Sequence, residues 1–335
     1  MTLPTTRPLL ALLLAACAGY ACTFGASAPA PSSPSIEIDA GPSTSEPAAP
    51  SAPPATPDAA IVDAGAELEP TSSWTMLAVG DVQLGRTIYA DMVELDDYAF
   101  PMQAVADRLS AADLTVGNLE AQIFERCRVF TVGMRLCAGP RAMESIDLGG
   151  FDVMTVANNH ATNFGKRNLE HSVRRLRERG IEVAGHGKQI PVVEMNGTRV
   201  AFLGWSPVHE QVPLKRIAAQ IKKARAKADL VFAFVHWGIE YETTPSRAQE
   251  RLADFIASKG VDLIIGAHPH VVQPLERVRE TLVAYSLGNF VFDFMWGEAL
   301  RGAVGEFVID HGAITESRLI PVDIDEMGAP HFVDD

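Results

Sequence analysis

The chain has 335 residues, 47% of them hydrophobic, and sets 42 Asp and Glu against 28 Lys and Arg for a formal net charge of −14. That apolar content suffices for one large domain or two smaller ones. The charge argues against a nucleic-acid partner, since no basic stripe is available to neutralise phosphates.

An export signal comes first. MTLPTTRPLLALLLAACAGYAC places one arginine ahead of a leucine and alanine run too short to span a bilayer as a mature helix. Leu14, Ala15, Ala16 and Cys17 resemble a bacterial lipobox, in which removal of residues 1–16 leaves Cys17 as the lipid attachment site; plain signal-peptide cleavage near Ala21 is the other reading. On the first reading the protein is a membrane-anchored lipoprotein of the cell envelope, on its periplasmic or surface face, held by acyl chains alone. Residues 17–73 are rich in Pro, Ala and Ser with scarcely an aromatic. Such a stretch cannot bury enough apolar surface to offset the entropy of ordering, so a disordered tether is expected. The folded domain is expected over 74–335, with no second linker inside it.

Within that domain TMLAVGD (75–81), ADLTVGNLE (112–120), FDVMTVANNH (151–160), DLVFAFVHWG (229–238) and VDLIIGAHPH (261–270) each read as a buried strand with a polar tip. Helical patterns alternate with them: PMQAVADRLSAA, NLEHSVRRLRERG, KRIAAQIKKARAK (215–227) and SRAQERLADFIASKG. The lysine-rich run carries Ile217, Ala218, Ile221 and Ala224 at helical spacing, which makes its charges the solvated face of an amphipathic helix. Cys127 and Cys137 flank RVFTVGMRL, read as a hairpin, and export places them where a disulfide persists. Alternating strands and helices mean an α/β arrangement with covered sheets. TLVAYSLGNFVFD, GAVGEFVID and AITESRLIPVDI look antiparallel, so a mixed two-sheet core is expected.

Ligand sites of α/β sheets lie beyond the carboxyl ends of the strands. Asp81, Asn118, Glu120, Asn159, His160, His236, His268 and His270 all sit at such ends and could converge. Singly, each has a plain alternative: Asp81 as a turn former, Asn159 as a residue tolerating left-handed backbone, His236 as a satisfied core histidine, Glu120 as a cap. Jointly, one metal-centred site accounts for all of them. His268 and His270, separated by one proline, should point the same way if the segment is extended. Imidazoles mixed with carboxylate and amide oxygens suit one or two ions of manganese, zinc or iron better than magnesium.

GDVQLGR, VGNLE, ANNHATNFG, VHWGIEY, GAHPHVVQP and SLGNFVFD, in this order over roughly residues 75 to 310, resemble the motifs of the CapA family of capsule-synthesis proteins, within the calcineurin-like metallophosphoesterase superfamily. The resemblance implies a four-layer αββα sandwich of two mixed β-sheets flanked by helices. It implies Asp81, Asn159, His236, His268 and His270 as metal ligands and His160 as the acid. At the bridging position stands Asn118, with Glu120 two residues on; a carboxylate bridges two cations where a neutral amide does so poorly, which favours Glu120. Gln83 stands where the superfamily has a histidine, and Asn163 where the family often has an aspartate.

Two functions are compatible with that likeness. One is a metal-dependent hydrolase acting on a phosphate ester or an amide, with phosphorylated or γ-glutamyl substrates. The other is a non-catalytic factor that binds, exports or anchors an acidic capsular polymer, poly-γ-glutamate, beside membrane proteins of capsule assembly. Arg86 could pair with an anionic substrate or form a salt bridge. Trp237, Glu240, Tyr241, Ser286 and Asn289 could line the pocket or serve packing and turns.

Overall fold

The computed structural model describes residues 73–293 and 297–333. The signal segment 1–16, Cys17 and all but the last residue of the 17–73 tether lie outside the described residues.

Two sheets form the centre. The first has eight strands, in the order Pro330–Phe332, Ala313–Ile324, Arg301–Asp310, Trp74–Val82, Leu114–Leu119, Val153–Thr155 and Glu182–Ala184, with Asn289–Val291 added alongside the carboxyl end of Trp74–Val82. The second has six: Val272–Val278, Thr281–Leu287, Leu263–Ala267, Leu230–His236, Thr198–Trp205 and Val192–Met195. Each sheet is parallel through the strands that carry the polar tips and antiparallel at an edge. The mixed character expected from the later segments is present, although Thr281–Leu287 runs parallel to Leu263–Ala267.

Period-two alternation explains the layering. Leu230, Phe232 and Phe234 enter an apolar cluster shared with Met76, Ala78 and Val116 of the other sheet. Val231, Ala233 and Val235 point the opposite way, against Ile217, Ile221 and Ala224 of helix Leu214–Arg225 and Ala253 and Ile256 of helix Arg247–Ala257. On the far side Leu77 and Val79 pack with Ile88 and Met92 of helix Arg86–Leu95 and Val173 and Leu176 of helix Lys166–Glu178. Three apolar clusters between four layers make the αββα sandwich, each fully buried Leu, Ile or Phe contributing about 1.5–3 kcal/mol. Ser246 and Gln249 form a reciprocal capping box that starts Arg247–Ala257.

Register brings the tips together. Asp81 pairs with Asn118 on one side and Asn289 on the other, and Ala267 pairs with His236. Gly80 permits the approach on the Asn289 side, because a Cβ there would lie 2.1 Å from the Gly288 carbonyl oxygen.

The hairpin expected between the two cysteines is absent. Cys127 and Cys137 are disulfide-bonded, but Cys137–Ala138 pairs in parallel with Gln122–Ile123. Residues 128–136 form no ladder, and Val132 is 80% exposed. Val129 and Met134 are exposed as well, while Leu136 is buried and its carbonyl accepts from Gln122 N–H.

Candidate metal centre

Asp81 is fully buried where the first sheet meets the second. Its Oδ1 accepts a 2.6 Å hydrogen bond from Asn118 Nδ2, and its Oδ2 accepts one from the His268 backbone N–H at 3.1 Å. His270 Nδ1 lies 3.4 Å from Oδ2 and His236 Nδ1 3.9 Å from Oδ1. The rings of His236 and His268 are 4.9 Å apart between centroids, and those of His268 and His270 5.9 Å.

The two histidines of GAHPHVVQP converge for a different reason than strand alternation. The strand stops at Ala267, and His268 and His270 both take positive φ, +97° and +59°. Left-handed backbone costs a non-glycine residue of order 1 kcal/mol or more and persists where surrounding contacts impose it. Here the Asp81 carboxylate and the 2.7 Å bond from Tyr241 N–H to the Pro269 carbonyl hold the loop.

Among the described residues two groups offer ligand atoms within 4.8 Å of one another: Asp81, Glu120 and His236, and Glu240, His268 and His270. Glu120 Oε1 stands 3.6 Å from His236 Nε2 and 3.8 Å from His160 Nε2, yet both its oxygens are buried without a hydrogen-bond partner. His268 Nδ1 is buried and unpartnered as well. Such atoms are costly inside a protein unless something binds them, and acceptor-only oxygens beside lone-pair nitrogens fit a divalent cation. Protonation differs across the site. Burial raises the Asp81 carboxyl, but the hydrogen bond from His270, the neighbouring imidazoles and the Asn118 amide outweigh it and hold the carboxyl at about 2. Burial, with Asp81 close by, pushes Glu120 well above the usual carboxylate range. Burial lowers His236 well below its usual value and His268 to about 4, so both are neutral, as ligands must be.

A chain of amides fixes several orientations. The backbone N–H of His160 donates to Asn158 Oδ1, while Asn158 Nδ2 donates to the Leu119 carbonyl and to Asn118 Oδ1. The Asn118 oxygen is therefore occupied, and its NH₂ points at Asp81 and at His236 Nδ1, 3.3 Å away. In this arrangement Asn118 presents its NH₂ to Asp81 and His236 and so orients those two side chains. Asn159 Oδ1 sits 2.9 Å from His236 Nε2, at the edge of the cluster. Asn163 accepts from Leu136 N–H through Oδ1, which settles its amide; the same oxygen meets His160 Nδ1 at 2.9 Å, so that nitrogen carries the proton. Burial pushes His160 below its usual value, only partly opposed by that bond.

The residues expected to line a pocket divide. Glu240 and Tyr241 stand beside the centre, Glu240 half-buried and Tyr241 exposed. Trp237 does not: it is 2% exposed, donates through Nε1 to the Tyr285 carbonyl, stacks on that ring, and lines a separate cavity of about 810 Å³ with Leu214, Ile239 and Phe255. Ser286 is buried and accepts from Gly288 N–H, a turn duty. Asn289 donates to the Ala299 carbonyl and meets His270 Nδ1 with its oxygen at 2.9 Å, so its amide holds the His270 ring in place. Arg86 forms a buried ion pair with Asp293, which also accepts from Gln83 Nε2 and Thr87 N–H. Gln83 and Asp293 were not singled out as functional in the sequence; only their positions in GDVQLGR and SLGNFVFD signal them.

A four-layer αββα sandwich with His, Asp and Glu gathered beyond its strand ends is the calcineurin-like metallophosphoesterase architecture. Within that class the chain belongs to the bacterial capsule synthesis protein PGA_cap family, whose family model matches residues 75–294. Capsule biosynthesis protein CapA of Bacillus anthracis is 29% identical over 283 residues, 76% of this chain and 68% of that protein. PGA biosynthesis protein CapA of Bacillus subtilis (strain 168) is 28% identical over 275 residues, 74% of this chain and 71% of its own length. Among solved structures, a hypothetical protein from Thermus thermophilus superposes with a TM-score of 0.50 at 16% identity, covering 74% of this chain and 99% of that one, a likeness of fold.

Proposed function

We propose that the protein is an exported, lipid-anchored envelope protein whose folded domain is a metal-dependent hydrolase linked to capsule synthesis, acting on a phosphate ester or a γ-glutamyl amide. The single observation that carries the catalytic part is Glu120, buried with both oxygens unpaired between His160 and His236. Manganese, zinc or iron matches the mixed oxygen and imidazole donors. Such a cation, when bound, supplies Lewis acidity and acidifies water.

The chain's own residues do the rest. Asp81, Glu120 and His236 would hold the ion, with Asn159 beside them. His160, with its proton on Nδ1 toward Asn163, keeps a lone pair on Nε2. It would take up there the proton given up by the attacking water and return it to the leaving oxygen or nitrogen, a role that contributes about 10²–10⁴-fold in rate. The names of the Bacillus relatives support a place in capsule synthesis, and the lipobox-like segment supports anchoring. No helix among the described residues is long and apolar enough to cross a membrane.

The test is a screen of phosphate esters and γ-glutamyl peptides with the purified protein, stripped of metal and then reloaded with Mn²⁺ or Zn²⁺. Turnover that needs metal and is lost in His160→Ala is expected. Bound metal without turnover on either class would instead favour a factor that binds an acidic polymer.

A further inference from the structure

We infer that Glu240 is a metal ligand, holding a second cation with His268 and His270 beside the one at Asp81, Glu120 and His236. The inference rests on the metal-centred reading above and adds a carboxylate to it.

Glu240 reaches the centre through a folded-back loop. Gly238 takes φ +92° and Tyr241 φ +67°, and Tyr241 N–H donates to the Pro269 carbonyl at 2.7 Å. This clamps residues 238–241 onto the loop that carries both histidines and sets a Glu240 oxygen within 4.8 Å of a nitrogen on each. Two non-glycine residues in one loop and one in the other hold left-handed backbone to make this juxtaposition, and strain of that kind marks sites where geometry is imposed.

An independent observation points to a missing partner. His268 is 5% exposed, and its Nδ1 is buried with no hydrogen bond. His270 meets the Asn289 oxygen through Nδ1, and the Asn289 amide is fixed by its bond to the Ala299 carbonyl. A ring that donates at Nδ1 carries its lone pair on Nε2, the arrangement metal-ligating histidines adopt. Two other side chains that might have served here are committed elsewhere: Gln83 to Asp293 and the Gly85 N–H, Asn118 to Asp81 and Asn158. Without Glu240 two dications would share only the charges of Asp81 and Glu120.

The test compares full-length wild type with Glu240→Gln, each dialysed against Mn²⁺, by metal stoichiometry, affinity and electron paramagnetic resonance. Wild type is expected to hold a magnetically coupled pair of ions. The variant is expected to keep one isolated ion and to bind the second more weakly by about tenfold or more, the lower range of loss even for indirect partners of a metal. Glu240 is half-buried, so melting in EDTA should match wild type and confirm an intact fold. Unchanged affinity and stoichiometry in Glu240→Gln, whether one ion or two, overturns the role of Glu240 and leaves the first ion standing. A wild type that binds no Mn²⁺ or Zn²⁺ contradicts the metal-centred reading itself.

Discussion

Replacing Glu120 with glutamine should make the metal-free protein more stable and the metal-loaded protein less so. Both carboxylate oxygens are buried and unpartnered, with the ionised Asp81 near them. In the absence of metal the side chain must either stay charged in a buried site or take up a proton at neutral pH, and each unit of raised pKa costs about 1.4 kcal/mol. The sign follows from linkage. Between the ordinary carboxylate value and the raised one the folded state holds a proton the unfolded chain lacks, so stability falls as pH rises through that window. Glutamine has nearly the same shape and no charge. Removing the ionisable group relieves about 1.4 kcal/mol for each unit by which the pKa is raised, and about 2–4 °C in melting temperature per kcal/mol for a domain of this size. Metal reverses the order, since wild type gains about 2.7 kcal/mol at a hundred times Kd and the variant gains less. Calorimetric melting or urea unfolding at pH 7.5 in EDTA, then in Mn²⁺, measures both. A variant less stable than wild type in EDTA, or one gaining as much from Mn²⁺, would refute the reasoning.

In EDTA, His268 should make stability fall as pH drops from about 6.5 to about 4, because the unfolded imidazole takes up a proton that the buried one refuses; the depression of its pKa to about 4 corresponds to about 3 kcal/mol, a loss His268→Gln should not show in urea titrations across that range. Arg86→Met should destabilise by about 3–5 kcal/mol by leaving the Asp293 carboxylate uncompensated in a buried pair, and adding Asp293→Leu should recover much of the loss in the same unfolding assay. Cys127→Ser should cost about 2–4 kcal/mol by releasing a disulfide between residues ten apart, and wild type under reducing conditions should melt like the variant.

Much of this was legible in the sequence because parallel strands are buried on both faces. They read as apolar runs, and the polar residue that ends each run stands out; Asp81, Glu120, His236, His268 and His270 were visible in this way. Thr198–Trp205 does not stand out, because VAFLGW is brief and lacks a polar tip. What failed to read out was direction. Nothing in the residue type of Asn118 tells which end of its amide faces Asp81; that depends on Asn158 and a backbone N–H of His160, 40 positions away from Asn118 in the case of Asn158. Trp237, Ser286 and Asn289 sit in the right motifs yet face a core, a turn and the His270 ring. The convergence of His268 and His270 was anticipated from strand alternation but arises from two left-handed residues, which periodicity does not encode.

Crystals of the protein soaked in Mn²⁺ and measured at the manganese absorption edge would locate the cation directly. Anomalous density is expected among the carboxylates of Asp81 and Glu120 and the His236 imidazole, with a second peak between Glu240, His268 and His270. A soaked crystal whose anomalous peaks all lie on the surface, with those buried side chains unchanged, would contradict a shared cation at the centre of this fold.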